Sequence, residues 1–299
     1  MIIVLGSINI DLVTTTDRLP CPGETICGSQ FYTSSGGKGA NQALAARRAG
    51  SRVRMVGAVG TDQFGSSAIS ALQDAGIDLS AVSNSAAQTG TASIYVAADG
   101  ENTIIVVPGA NETIGRAEAA EAVQAMGEGD ILMMQMELRP DAMEAAIRAA
   151  KDKGVQTMLN IAPMSERAAD LATLVDIVVA NETEFDLLVG KAITSPQERI
   201  ELLKLQHEKQ GQTIVVTLGS EGAIAIRSGE IFTAAGLRIS PVDTVGAGDT
   251  FCGYLASSLD QGVDFGAALR KAAVAGSLAC LARGAQAAIP YVPDVDARV

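Results

Sequence analysis

The segment Asp243-Thr-Val-Gly-Ala-Gly-Asp-Thr-Phe251 joins a turn of small residues to the start of an apolar helical run. Small residues let a ligand approach the backbone, and the first amides of a helix, at the positive end of its dipole, form a natural site for a phosphate group. Gly246, Ala247 and Gly248 are the predicted anion hole. Asp249 beside them is either a general base for a bound hydroxyl or a simple helix N-cap.

Short apolar runs recur along the rest of the chain and alternate with segments of helical periodicity. The runs are continuous, which is typical of strands that are buried on both faces. Strand and helix in repeated alternation predict an α/β fold with a mainly parallel central sheet flanked by helices. The predicted strands are residues 2–5, 53–59, 131–134, 155–160, 177–180 and 213–217. The predicted helices are about residues 41–49, 64–75, 117–126, 141–153, 182–188, 196–209, 248–259 and 265–282.

Two regions depart from this alternation. Residues 91–107 contain two apolar stretches around Asp99-Gly100, which is typical of a hairpin, and residues 11–35 are rich in Thr, Pro and Gly without helical period. We interpret them as a small β-sheet lid, formed by about residues 11–36 and 89–108, on a single domain of residues 1–299. A lid that closes excludes water from a phosphoryl transfer.

Composition excludes several classes of protein. A net charge of -12 argues against a general nucleic-acid binder, because such proteins carry a basic face. The four cysteines have neither zinc-site nor disulfide-framework spacing, so we expect reduced thiols in a cytoplasmic protein. The only histidine, His207, is expected to be a solvated helix residue, which argues against a Ser-His-Asp triad.

Sequence features of membrane and secreted proteins are also missing. The apolar start at residues 1–5 lacks a basic flank and is interpreted as a buried strand, not a signal peptide. The longest apolar helical stretch, residues 272–282, is too short to span a membrane.

Two further motifs carry polar side chains next to predicted strands or helices. Gly36-Gly-Lys-Gly-Ala-Asn41 permits a sharp turn before a helix, and Asn41 can donate to a hydroxyl, although Walker A spacing is absent. Asn9 and Asp11 follow the first strand on the same side of the chain, by the period of two. Amide and carboxylate together suit a polyol, whose hydroxyls need both donors and acceptors.

The ordered motifs resemble the signatures of the ribokinase-like carbohydrate kinase family over essentially the whole chain. Residues 36–42 resemble its N-terminal signature and residues 243–251 its specific C-terminal signature; Asn181-Glu-Thr-Glu184 and Thr217-Leu-Gly-Ser-Glu-Gly222 match in order and spacing. The resemblance implies a ribokinase-like fold and an ATP-dependent sugar kinase with Asp249 as general base. It favours D-ribose as acceptor, phosphorylated at O5 to ribose 5-phosphate.

The resemblance also implies roles for single residues. The sugar would contact Asn9, Asp11, Gly37, Lys38, Asn41 and Glu137. ATP would contact Asn181, Thr217, Gly219, Ser220, Gly222 and Gly248. Glu184 would organise Mg2+ through water, and a potassium ion (K+) would be bound by Asp243, Val245, Ala279, Ala282 and Gly284. Ala288 stands where the family often has a serine ligand, and Ala273 where a side-chain amide near adenine is common.

Several alternatives remain at this stage. Lys38 could be only a surface charge, and Glu137 only a carboxylate on a loop. Glu184 could serve only to interact with the dipole of its helix. The acceptor is alternatively another sugar, a ketohexose derivative or a nucleoside, since the catalytic half is shared among such kinases. A non-catalytic sugar- or nucleotide-binding protein is a less favoured function. By the same resemblance, two lids would pair across a two-fold axis in a homodimer.

Overall fold

The computed structural model describes residues 1–299, which form thirteen strands and ten α-helices. The strands are β1 Ile2–Leu5, β2 Asn9–Thr16, β3 Gln30–Gly36, β4 Val53–Gly60, β5 Asp78–Ser85, β6 Gly90–Ala97, β7 Asn102–Val107, β8 Ile131–Gln135, β9 Gln156–Asn160, β10 Ile177–Asn181, β11 Thr213–Thr217, β12 Ala223–Arg227 and β13 Glu230–Ala234. The helices are α1 Lys38–Arg48, α2 Gly65–Asp74, α3 Arg116–Ala122, α4 Pro140–Asp152, α5 Glu166–Ala172, α6 Glu182–Val189, α7 Pro196–Gln210, α8 Ala247–Asp260, α9 Phe265–Ala279 and α10 Val292–Asp296.

The larger sheet has nine strands in the order β13-β12-β11-β10-β9-β8-β1-β4-β5. Every neighbouring pair from β5 to β11 is parallel, and the hairpin of β12 and β13 adds an antiparallel edge. Alternate residues of β1 enter opposite cores: Ile2 packs on the side of α1, α8 and α9, and Ile3 on the side of α3, α4 and α5. The predicted parallel sheet, buried on both faces, is confirmed.

The smaller sheet has four strands in the order β3-β2-β6-β7, and only its central pair, β2 with β6, is parallel. It lies where the sequence predicts a lid. No helix of the structure has both the length and the apolar content needed to cross a membrane.

Some elements differ from the sequence prediction. The edge strand β5 was not predicted, because its alternation of polar and apolar residues lacks a continuous apolar run. The helix α5, capped by Ser165, and the short α10 were also missed. Helix α9 ends at Ala279, not at 282, and α3 ends at Ala122, not at 126.

His207 lies in helix α7, as expected, but it is half-buried and not fully solvated. Its Nδ1 hydrogen-bonds the carbonyl oxygen of Gln212 at 2.6 Å, and its Nε2 accepts from the backbone amide of Gly229 at 2.9 Å. The ring therefore ties α7 to the turn between β12 and β13, far from the carboxyl ends of the parallel strands.

Helix α1 begins three residues earlier than predicted, at the glycine-rich loop itself. Gly37 is its N-cap with a φ of 90°, and a side chain there would collide with the backbone of Ser7 and Asn9. Only glycine adopts this conformation without strain and leaves room for the neighbouring chain. The start of α1 is therefore held against the end of β1, next to β2.

Helices α1 and α8 pack closely through a second glycine. A Cβ atom at Gly253 would collide with Ala45 and with the backbone of α1. Because this contact brings the two helix axes together, their N-terminal ends converge at the carboxyl ends of the parallel strands, where open α/β sheets bind ligands.

Candidate active site

Asp249 is the third residue of α8, and its side chain does not cap that helix. Gly246 occupies the N-cap position with a φ of 77°, and no side chain accepts there. The carboxylate instead accepts hydrogen bonds from Asn41 Nδ2 at 2.9 Å and Gln42 Nε2 at 3.0 Å. The N-cap alternative is therefore wrong, and the carboxylate lies at the junction of α1 and α8.

The side chains predicted to bind a sugar converge on one side of Asp249. Strand β2 places Asn9 and Asp11 on the same face, both buried. Glu137, after β8, accepts from the Ser7 hydroxyl and from the Lys38 backbone amide, so it is fixed within the site and is not a free loop carboxylate. Asn9 and Glu137 line a cavity of about 320 Å3.

The three carboxylates of this region interact electrostatically. Burial, together with the negative charges of Glu137 and Asp249, raises the pKa of Asp11 to about 7. The charge of Asp249 raises the pKa of Lys38, opposed by burial and supported by Glu137 and Glu184. The ammonium group therefore belongs to the acidic site, and the surface-charge alternative for Lys38 is wrong.

A cavity of about 220 Å3, lined by Asp249 itself, lies between the starts of α6 and α8. Lys38, Glu184 and Gly248 are among the residues that line it. It is adjacent to a larger cavity of about 900 Å3, because Thr217, Thr244 and Gly248 line both. The larger volume lies within the range of ligand-binding clefts and holds most of the residues predicted to contact a nucleotide.

The predicted nucleotide residues divide between the cavities. Thr217, Gly219, Ser220, Gly222 and Gly248 line the large cavity, and Asn181 the small one. The fold also requires glycine at position 222. Its φ is 99°, and any side chain there would collide with the backbone of residues 234–236. Ala273 also lines the large cavity and presents no polar group to a ligand.

Asn181 and Glu184 form a capping box at the start of α6. The Asn181 side chain accepts from the Glu184 amide, and Glu184 Oε2 accepts from the Asn181 amide, both at 2.8 Å. The helix-start role of Glu184 is therefore real, but it uses one carboxylate oxygen only. No group of three or more His, Cys, Asp or Glu side chains suited to a metal ion is present. A magnesium ion beside Glu184 would therefore need water and phosphate oxygens as its other ligands.

The residues predicted to bind a potassium ion surround the loop after α9. Asp243 accepts from the amides of Val245 and Gly284, which draws the two loops together. The carbonyl oxygens of Val245, Ala279 and Ala282 accept no backbone hydrogen bond. Unpaired carbonyls beside a carboxylate fit a monovalent cation. Ala288 is buried and supplies no ligand atom to complete the set.

Three polar residues of the site were missed by the sequence analysis. Gln42 lies in the N-terminal motif, yet no role was assigned to it, although it contacts Asp249 directly. Asn111 donates to Asn9 Oδ1 at 2.7 Å from a short 3-10 helix after β7. Gln135, at the end of β8, donates to Gln42 Oε1 at 2.7 Å. Asn111 and Gln135 belong to no motif, so only the fold reveals them.

Comparison with known proteins agrees with this geometry. The family model of pfkB family carbohydrate kinases matches residues 1–291. A ribokinase of Haemophilus influenzae is 35% identical over 288 residues, 96% of this chain and 94% of that protein. A deoxyribokinase of Salmonella typhimurium is 32% identical over 293 residues, 97% of this chain and 96% of that protein. A solved structure of Arabidopsis thaliana ribokinase complexed with ribose and ATP is 31% identical, with a TM-score of 0.87, and covers 99% of this chain and 97% of that chain.

The raised pKa of Asp11 predicts a pH-dependent effect of the substitution Asp11→Asn on stability. Between about pH 4 and pH 7 the folded protein holds a proton on Asp11 that the unfolded chain releases, so this group makes stability fall as the pH rises through that range. Asparagine does not titrate. We expect the variant to gain roughly 1–2 kcal/mol more over the wild type at pH 8 than at pH 5, measured by urea unfolding without ligand. An equal difference at both pH values would contradict the assignment.

Proposed function

Because the chain belongs to the pfkB family of carbohydrate kinases, we propose that it transfers the γ-phosphoryl group of ATP to O5 of D-ribose, giving ribose 5-phosphate. The observation that carries the proposal is the position of Asp249 at the start of α8: it accepts a hydrogen bond from Asn41 and lines a cavity that adjoins a nucleotide-sized cavity. The chain acts as a single kinase domain of residues 1–299, with the four-stranded sheet as its lid.

The acceptor site combines acceptors and donors for the sugar hydroxyls. Asp11 and Glu137 accept, and the Asn9 side chain is held in one orientation by Asn111. Asn41 contributes an Oδ1 that is buried without a partner, which suits a sugar hydroxyl as its donor. Gly37 shapes the loop beside the sugar, and burial under the lid excludes water, which would otherwise compete for the phosphoryl group.

Asp249 then takes the proton of O5 as that oxygen attacks the γ-phosphorus. The bond between the γ-phosphorus and the bridging oxygen breaks, ADP leaves, and the proton remains on the carboxyl group. The amides at the start of α8, at residues 246–248, face the transferring phosphoryl group and stabilise its charge. Lys38 adds a positive charge on the same side.

Two ions complete the proposal. Mg2+ would neutralise charge on the phosphates, and Glu184 would hold it through water, using the carboxylate oxygen that the capping box leaves free. A potassium ion would be held by Asp243, with carbonyl oxygens of the loop after α9. Because Ala285 packs against Gly246, that loop supports the anion hole directly.

The acceptor is the least constrained part of the proposal. The similarity to a deoxyribokinase favours deoxyribose as the second candidate, because the two sugars differ only in the hydroxyl at C2. A kinase of another sugar or of a nucleoside would share Asp249 and the anion hole. Discrimination must therefore come from the polar contacts of β2, α1 and Glu137.

An ADP-release assay over ribose, deoxyribose, fructose, fructose 6-phosphate and nucleosides tests the function. We expect turnover to be fastest with ribose. The substitution Asp249→Asn should lower kcat by about 10²-fold or more, on the scale of a lost general base, and leave ATP binding largely intact by calorimetry. No turnover with any acceptor would contradict the kinase assignment, and full activity of the variant would contradict the assignment of the base.

The substitution Ala288→Ser tests the cation site. A hydroxyl at this position should add one ligand, so the K+ concentration at half-maximal activation should fall by about 2- to 10-fold, the equivalent of one hydrogen-bond-sized interaction. The K+-dependent rise in Tm, measured without substrates and against Na+, should move to lower concentration as well. If neither value changes, the cation does not bind at this loop.

We also propose a homodimer through the lids, and the apolar face of the small sheet supports it. By register, Val13, Ile94 and Ile104 lie side by side on one face, and Ile104 is half exposed there. Val13 and Ile94 are already buried within one chain, and pairing two such faces across a two-fold axis would bury Ile104 as well. We expect Ile104→Glu to produce monomers in analytical ultracentrifugation. Its control, Ile105→Glu, lies on the opposite face of β7 and should leave the dimer intact; a monomeric wild type would contradict the proposal.

A further inference from the structure

Gln42 uses every hydrogen-bonding group of its side chain within the core. Its Nε2 donates to Asp249 Oδ1 at 3.0 Å and to Asn160 Oδ1 at 3.2 Å, and its Oε1 accepts from Gln135 Nε2 at 2.7 Å. The side chain is almost completely buried, with 1% of its surface exposed. It therefore has a single favourable orientation, and that orientation is defined by its neighbours.

Asn160 and the Asp249 carboxylate prevent the amide of Gln42 from reversing. Asn160 donates its own amide hydrogen to the carbonyl oxygen of Val179 in β10, which leaves only its Oδ1 to face Gln42. Gln135 donates to Gln42 Oε1, but its own Oε1 is buried without a partner, so the Gln135 amide follows that of Gln42. A reversed Gln42 would place its oxygen against the Asp249 carboxylate and against Asn160 Oδ1. Both contacts would become repulsive.

The charged groups around Asp249 explain why a hydrogen bond donated by Gln42 matters for the reaction. Asp249 is buried, and the titratable groups around it are Asp11 from β2, Glu137 after β8, Glu184 of α6, Cys252 of α8 and Lys38 of α1. Burial and neighbouring carboxylates disfavour an ionised carboxylate, whereas hydrogen bonds donated to it favour the ionised form. A general base must be ionised to accept a proton.

We propose that Gln42 is a positioning residue for the reaction: its donated hydrogen bond favours the carboxylate form of Asp249 and aims it at the acceptor hydroxyl, and Asn160 fixes the orientation of its amide. The proposal rests on the proposed role of Asp249 as the base. In this proposal the neighbouring side-chain amides of Asn41 and Gln42, both on α1, have different roles. Asn41 has an oxygen free for the sugar, whereas Gln42 has no group left and acts only through Asp249.

The near-isosteric substitution Gln42→Glu tests the proposal. A carboxylate beside Asp249 favours the protonated form of the pair, so the acid limb of the kcat profile should move to higher pH by about one unit or more. At pH 7 we expect kcat to fall about 10-fold or more, a part of the effect of losing the base, with KM for ATP changed less than about 3-fold. Gln42→Met, which keeps the length and removes the donor, should change both quantities in the same direction.

The buried Gln212 supplies the matched control. Its Nε2 donates two hydrogen bonds as well, but to the backbone carbonyls of Ala172 and Val175, at the amino ends of the parallel strands. We expect Gln212→Ala to lower Tm without moving the pH profile. Gln135→Leu, which leaves Gln42 Oε1 without a donor, should move the acid limb in the same direction as Gln42→Met and by less.

The outcomes separate this inference from the proposed function. An inactive wild type, or a fully active Asp249→Asn, contradicts the function itself. If the wild type is active and Asp249→Asn is not, yet Gln42→Glu and Gln42→Met leave the acid limb and kcat unchanged, the positioning role is overturned. The same holds if the Gln42 variants lower only Tm, as Gln212→Ala does.

Discussion

The active site depends on the close contact between α1 and α8. At Gly253 only a hydrogen atom separates the backbone of α8 from that of α1, and close-packed interiors allow little sliding at such a point. The two helix N-termini are therefore fixed relative to each other. This brings the side-chain amides of Asn41 and Gln42 to Asp249, although more than 200 residues separate them along the chain.

Around this contact the site concentrates more negative charge than a stable core favours. Asp11, Glu137 and Asp249 share one buried region, and the raised pKa of Asp11 is the visible consequence. A polyol needs many hydrogen-bond acceptors. When no sugar is bound, the site must hold these carboxylates close together without the hydroxyls that would bond to them. The Lys38 ammonium group and the amides of α1 offset part of this repulsion. Perturbed groups of this kind are typical of functional sites, where stability is given up for binding.

The sequence predicted those parts of the fold in which one local signal dominates. The parallel strands were predicted because their apolar runs are continuous, and the small sheet because its segments carry an Asp-Gly turn and lack helical period. Strand β5 was missed because an edge strand is half exposed and mixes polar with apolar residues. The start of α1 was placed three residues late because glycines suggest a loop, whereas Gly37 is here the N-cap. Here the close approach of α1 to the backbone after β1 requires glycine, although glycine has a low helix propensity.

The sequence motifs indicated which segments form the site, but they did not indicate the role of each residue within it. Asn181 and Glu184 serve the helix as a capping box and the site as lining residues, and a motif cannot separate the two tasks. Asn41 and Gln42 are adjacent amides in one motif, and the rotation of α1 sends both to Asp249. What distinguishes them is Gln135, 93 residues further along the chain, which occupies the only free oxygen of Gln42. Because that pairing follows from the position of β8 beside β1, no local pattern encodes it, and the proposed division between a sugar-binding and a base-orienting amide depends on the fold.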